Sequence, residues 1–332
     1  MKTAVVFQGG GPLGAFGCGA WQVVAPWLRR QGHELVAVAG ASIGALNSAV
    51  VACHAQDEHD DLGAAALDRL WRRDIAVPLP SVPPMTDEMR AWSGWWTGFA
   101  LGNPALFAPL YQNWHPLAGL RRVALPLYSQ QRMRSMFERI VGDGYVSDAS
   151  APVLAVAATD VLSGALRLFS SADAPVDAVQ LSASAAIPLM FEPVTIEGRL
   201  YCDGEVNRRS PVAPLVNALR DGGRITAEEP LQLVTIGQFC RNAGRAPRTS
   251  QELLDRSLQL MLADKLAEPL DVTHHIDITR APEPHDNISG QFDYSTPRIE
   301  ALIEAGRIAA QAGLDALRAR SLRVVATSAG RA

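Results

Sequence analysis

Leu35-Val-Ala-Val-Ala-Gly-Ala-Ser42-Ile-Gly-Ala-Leu-Asn-Ser48 reads as a buried strand, a tight Gly40-Ala-Ser42-Ile-Gly44 turn and then an apolar helix. A serine at such a bend projects its hydroxyl clear of the backbone, and the small residues Gly40 and Gly44 let strand and helix pack closely. The hydroxyl also sits near a helix N-terminus, where unpaired N–H groups favour developing negative charge. Ser42 is therefore a candidate nucleophile, with Gly40 and Gly44 as the frame of its elbow. Gly and Ser are frequent in ordinary turns, so the pattern takes its meaning from the chain around it.

Upstream, Thr3–Gln8 reads as a buried strand and Leu13–Arg30 as a helix. Downstream, Leu62–Arg73 continues as a helix. Strand and helix alternate, which predicts an α/β fold with a mostly parallel central sheet sandwiched by helices. From Pro78 to Ser129 the periodicity dissolves, and Trp92, Trp95, Trp96 and Trp114 crowd into the stretch. Residues 78–129 read as an inserted aromatic-rich cap or lid that includes Trp92, Trp95, Trp96 and Phe99. Regularity returns with a helix at Gln130–Val141, a hairpin of Val153–Thr159 and Ala165–Ser170, and a small-residue helix at Val176–Ala186. A strand around Val194–Tyr201 and a helix at Val212–Arg220 follow. The remainder offers a strand at Leu231–Ile236, a helix around Gln251–Leu266, a strand at Val272–Thr279 and a helix over Pro297–Arg320. The reading is one domain over 1–320 with a flexible tail at 321–332.

Composition narrows the class. Of 332 residues, 48% are hydrophobic, enough for a sizeable core. The net charge of −4 argues against a nucleic-acid partner. Cys18, Cys53, Cys202 and Cys240 are dispersed, with no C-x-x-C pair and no zinc spacing. That usage points to a reducing, cytoplasmic setting, and the short apolar run after Lys2 reads as a strand rather than an export signal. The charge-free stretches Leu35–Gln56 and Ala91–Leu120 do not read as membrane spans. The first carries the Ser42 turn, and Pro104, Pro109 and Pro116 break the second.

The first strand runs into Gln8-Gly-Gly-Gly-Pro-Leu-Gly14. Glycines at a strand end leave backbone N–H groups uncovered, and Pro12 suits the first turn of the next helix. Gly9, Gly10 and Gly11 thus form a candidate oxyanion loop. Gly9, Gly11 and Gly14 also satisfy a dinucleotide-binding G-x-G-x-x-G. That fingerprint wants an acidic residue at the end of the second strand, where this chain has Ala39-Gly40-Ala41-Ser42. Carboxyl ends of neighbouring parallel strands share one edge, so the glycine loop and Ser42 should face one crevice. The base that acyl transfer then needs is Asp203, in Tyr201-Cys-Asp203-Gly204-Glu205 at another strand end. Asp-Gly is also an ordinary turn signal.

Taken together, Gly9-Gly-Gly-Pro-Leu-Gly14, Gly40-Ala-Ser42-Ile-Gly44 and Asp203-Gly204 resemble, in that order, the motifs of the patatin-like phospholipases. The likeness extends to Ser182-Ala-Ser-Ala-Ala-Ile-Pro-Leu-Met-Phe-Glu-Pro-Val194, to Asn207-Arg-Arg-Ser-Pro-Val212 and to Phe292-Asp-Tyr-Ser295. It implies a Ser42–Asp203 dyad without histidine, an acyl-enzyme, and a lipid or other acyl ester as substrate. No metal or cofactor is implied; beside such a site the aromatic cap would suit acyl binding through Trp92, Trp95, Trp96 and Phe99, or peripheral, transient membrane contact. Two residues depart from the pattern. Leu13 stands where many members carry Arg or Lys, and Glu205 stands where a small residue follows Asp-Gly.

Rival readings use the same serine. His285, in Pro284-His-Asp-Asn287, fits the chain order of a Ser-His-Asp triad with Asp203 or Asp160. An acyltransferase, or a lipid-binding module without turnover, would keep the same fold.

Overall fold

The computed structural model describes residues 1–79, 85–110, 126–226, 228–242, 246–263, 265–266, 274–283, 286, 290 and 292–329. His285 lies outside them, as do residues 80–84 and 111–125 of the insert.

The chain begins with β1 (Lys2–Phe7), α1 (Gly14–Arg30), β2 (Glu34–Ala41), α2 (Ile43–His54) and α3 (Ala64–Arg69). The insert supplies α4 (Asp87–Leu101) and the short strands β3 (Ala108–Pro109) and β4 (Tyr128–Ser129). Then come α5 (Gln131–Val141), β5 (Val153–Asp160), β6 (Leu166–Ser170), α6 (Ala178–Ser184), β7 (Val194–Ile196) and β8 (Arg199–Asp203). The last part holds α7 (Val212–Asp221), β9 (Leu231–Gly237), α8 (Ser250–Leu262), β10 (His274–Thr279) and α9 (Thr296–Ala329).

The main sheet runs β10-β9-β1-β2-β5-β8-β7, with β6 paired to β5. The strands β10, β9, β1, β2 and β5 are parallel to their neighbours in that order. β6, β8 and β7 are antiparallel additions. The parallel strands are nearly continuous apolar runs because both sheet faces are covered. Val5, Phe7 and Val38 point into a core shared with α1, α2 and α9, whereas Ala4, Val6 and Ala37 point into one shared with α7. Helices α1 and α9 approach closely through glycine. A Cβ on Gly19 would fall 1.8 Å from the Ile303 carbonyl oxygen.

Most elements fall where the periodicity predicts them, and the differences have local causes. The strand expected over Val194–Tyr201 is a hairpin, β7 and β8, turned at Glu197 and Gly198 with φ of 51° and 75°. Positive φ at both positions is the signature of a type I′ turn. The helix expected over Leu62–Arg73 divides into α3 and a π-helical segment, Leu70–Ile75. Within the insert, α4 is a helix that the aromatic and glycine content conceals. Thr86 caps it by accepting the Met89 N–H at 3.2 Å. Its Ala91, Gly94 and Gly98 face inward at helical spacing, where a Cβ on Gly98 would meet the Phe292 carbonyl oxygen at 1.8 Å. Finally, α9 continues past Arg320, the predicted end, to Ala329, since no glycine or proline interrupts the chain until Gly330.

Candidate active site

Ser42 follows directly on β2 and precedes α2, with φ 55° and ψ −131°. A non-glycine residue at positive φ is a strained bend held by its surroundings. The surroundings here are close. A Cβ on Gly40 would lie 2.4 Å from the Gly44 carbonyl carbon, and one on Gly44 would lie 2.2 Å from the Phe7 carbonyl oxygen. Any larger residue at either position would push α2 off the sheet. Asn47, fully buried in α2, donates to the Gly14 carbonyl at 2.9 Å and accepts from the Trp71 indole at 2.9 Å. It thereby pins α2 to α1 and to the π-helical segment after α3.

The register of β5 explains how Ser42 and Asp203 meet. Along one edge of β5, β2 pairs in parallel and ends with Ala41 opposite Ala157. On the next residue of that edge, β8 pairs in the opposite direction and ends with Asp203 opposite Ala158. The two strands therefore run head-on into each other, and their last residues adjoin. A Cβ on Gly204 would strike the Ala157 carbonyl oxygen at 2.2 Å, so the chain can turn away at this point only with glycine. The end of α6 and the residues just past it fasten both ends: Ser184 accepts the Ser42 N–H, and the Ala186 carbonyl accepts the Asp203 N–H at 2.9 Å.

Asp203 is 1% exposed and Ser42 5%. Burial drives the Asp203 carboxyl up to about 7. The Glu205 N–H and the Ser42 hydroxyl oppose this as hydrogen-bonding groups, Glu205 adds to it by charge and Lys265 opposes it. Oδ1 accepts the Glu205 N–H at 2.7 Å. Oδ2, buried, closes no bond of regular geometry, even though Ser42 is near enough to influence the carboxyl.

The glycine loop adjoins the same point. A Cβ on Gly9 would fall 2.7 Å from Ser42 Cβ, and Gly10 and Gly11 take φ of 149° and 58°. Among the described residues, the N–H groups of Gly10 and Gly11 meet no acceptor. The Gly9 N–H is engaged: it donates to Glu205 Oε1 at 2.8 Å. Glu205 is the departure from the Asp-Gly motif noted in the sequence; its partner Lys265 escapes motif reading because the two are joined only through space.

Beside Ser42 lies a narrow apolar cavity of ≈ 30 Å³, lined by Gly11, Leu106, Phe107, Met133, Ile187, Met190, Phe191 and Tyr294. The four aromatic residues read as an acyl-binding cap do not line it. Trp95 and Phe99 stack at 4.9 Å and reach Phe292, which in turn touches the cavity-lining Phe107. Trp92 and Trp96 pack on Trp95 farther out, and Trp96 is 54% exposed. The insert thus meets the cavity through Leu106 and Phe107, which follow α4. Aromatic content draws attention to the segment, whereas its contribution to the cavity lining comes from Leu106 and Phe107.

No described histidine lines this cavity. Asp160, the other aspartate weighed for a triad, is occupied elsewhere: it accepts the Leu162 and Ser163 N–H groups and pairs with Arg199 at 3.2 Å. No cluster of side chains suited to a metal occurs among the described residues. Nor is any described helix long and apolar enough to cross a membrane.

Residues 5–216 match the model of a family described as patatin-like phospholipase. Among curated proteins, uncharacterised NTE family proteins of Mycobacterium bovis and Mycobacterium tuberculosis are 26% identical over 220 residues, 66% of this chain and 47% of theirs. The chain thus spans about half the length of those relatives. Similar solved structures include VipD from Legionella pneumophila, with TM-score 0.42 and 11% identity over 95% of this chain and 67% of that one. The type III effector protein ExoU has TM-score 0.38 and 13% identity over 94% and 52%.

Proposed function

Since the chain belongs to the patatin-like phospholipase family, we propose that it is a serine acyl-ester hydrolase of lipid-like esters, working through a Ser42–Asp203 dyad. The observation that carries this reading is the head-on meeting of β2 and β8, which leaves a strained serine beside a buried aspartate.

In this mechanism Asp203 takes the Ser42 proton as Oγ attacks the ester carbonyl. Its raised proton affinity matches the task, because a base is most effective when its pKa lies near the working pH. Charge developing on the carbonyl oxygen falls to the Gly10 and Gly11 N–H groups, while Gly9 braces the loop through Glu205. The protonated Asp203 returns its proton to the departing alcohol. It then accepts one from the water that attacks the acyl-enzyme and passes it to Ser42 Oγ as that intermediate collapses, which releases the fatty acid and restores both residues. The ring-lined cavity beside Ser42 suits an apolar acyl group. Contact with a membrane surface through exposed Trp96 would bring lipid to the cap.

Hydrolysis of p-nitrophenyl acyl esters of graded length tests the reading. Ser42→Ala and Asp203→Asn should each abolish turnover, and His285→Ala should not. Activity that survives Asp203→Asn but not His285→Ala contradicts the dyad. A wild-type protein that binds lipid without turnover would instead be a binding module.

A further inference from the structure

The residue after Asp203-Gly204 is a glutamate, and its carboxylate bridges two parts of the site. Oε1 accepts the Gly9 N–H at 2.8 Å, and Oε2 meets Lys265 Nζ at 2.8 Å. The Lys265 ammonium also donates to the Gly204 carbonyl at 2.9 Å. The Glu205 N–H closes the circuit on Asp203 Oδ1 at 2.7 Å. The Lys265 side chain is 2% exposed and that of Glu205 11%. Charges are seldom buried to this degree unless paired and hydrogen-bonded. This pair is buried at the one point where the glycine loop and the aspartate turn come together.

We propose that Glu205 and Lys265 are positioning residues for the reaction: they lock the Gly9 loop to the Asp203 turn and balance the charge beside the base. The inference rests on the Ser42–Asp203 reading and adds to it a role for Glu205, where the chain departs from the motif, and for Lys265, which lies outside every motif. The charged groups acting on Asp203 are Glu205, which favours its protonated form, and Lys265, which favours its ionised form. The neutral groups at hand are the Ser42 hydroxyl and the adjacent Cys202 thiol. Removing one member of the pair should therefore move the titration of Asp203 in one direction, and removing the other should move it oppositely. A pair that only supports the fold would move neither.

The test is the rate of Ser42 phosphonylation by a fluorophosphonate as a function of pH, in the full chain and its variants. For Glu205→Gln, which keeps an acceptor for the Gly9 N–H, the plateau should stay within about threefold while the acid limb moves down by about one pH unit. For Glu205→Ala, the plateau should also fall about tenfold, because the loop loses its brace. For Lys265→Met the limb should move up by about one pH unit, and the double variant E205Q/K265M should return it close to wild type. Limbs that all coincide with wild type, together with equal plateaus for Glu205→Gln and Glu205→Ala, overturn the proposal. If Lys265→Met does not fold, the two Glu205 variants decide alone. A wild-type rate without an acid limb, or labelling that survives Ser42→Ala, removes the dyad reading itself and with it the role of the pair.

Discussion

The backbone N–H of Ser42 donates to Ser184 twice over, to its carbonyl and to its hydroxyl oxygen, each at 3.1 Å. The Ser184 hydroxyl in turn donates to the Ala157 carbonyl at 2.6 Å. The strained elbow is therefore tied to the end of α6 and to β5 by one buried side chain. Ser184→Ala should cost about 1–2 kcal/mol in unfolding free energy. It should also lower the rate constant for ester cleavage about tenfold, through a looser elbow. Denaturant midpoints and initial rates check this; a variant unchanged in both would show that the tie is incidental.

The close approach at Gly44 gives a second expectation. A Cβ there would sit 2.2 Å from the Phe7 carbonyl oxygen. Gly44→Ala should then destabilise the chain by at least about 2 kcal/mol and displace Ser42 from the glycine loop. Chemical denaturation measures the first effect, and wild-type stability would mean that α2 and β1 can separate freely.

On the proposed dyad, the buried Asp203 carboxyl should make stability and activity respond to pH in opposite senses. Asp203 titrates at about 7 in the fold and near 3.8 when exposed. The folded chain thus binds this proton more tightly, so its contribution to stability is full below pH 4 and is lost as pH rises toward 7. Activity, which needs the ionised base, should rise over pH 6–8. Asp203→Asn should abolish turnover by about 10³-fold or more. The same change should stabilise the fold at pH 8 by a few kcal/mol and much less at pH 5, since one pKa unit is worth about 1.4 kcal/mol. Thermal unfolding at the two pH values checks this; an equal effect at both contradicts the burial penalty.

The cavity beside Ser42, at ≈ 30 Å³, is far smaller than a site that encloses a long acyl chain. Met133 and Met190 are the pliable members of its lining. Met190→Ala should raise kcat/KM for octanoate over acetate esters by about fivefold or more. An unchanged ratio would place the acyl chain elsewhere.

Legibility followed locality. The Ser42 elbow, the glycine loop and Asp203-Gly204 each lie within a few residues at a strand end, where Gly, Pro and Asp have fixed backbone uses. Their convergence depends on register, Ala41 opposite Ala157 and Asp203 opposite Ala158, and no single segment carries it. Glu197-Gly198 is a turn of only two residues within the short stretch Val194–Tyr201, so two strands read as one. In α4 the inward Gly94 and Gly98 lower helix propensity, and they are present because Asp293 and the Phe292 backbone press against them. The bond from Gly9 to Glu205 and on to Lys265 joins three distant segments and has no sequence signature.

The most direct test of the central claim is rapid-quench mass spectrometry of the protein mixed with a p-nitrophenyl ester. The account predicts an acyl adduct on the peptide carrying Ser42, formed at a rate that collapses with Asp203→Asn. An adduct on another residue, or one formed at the wild-type rate without Asp203, would contradict it.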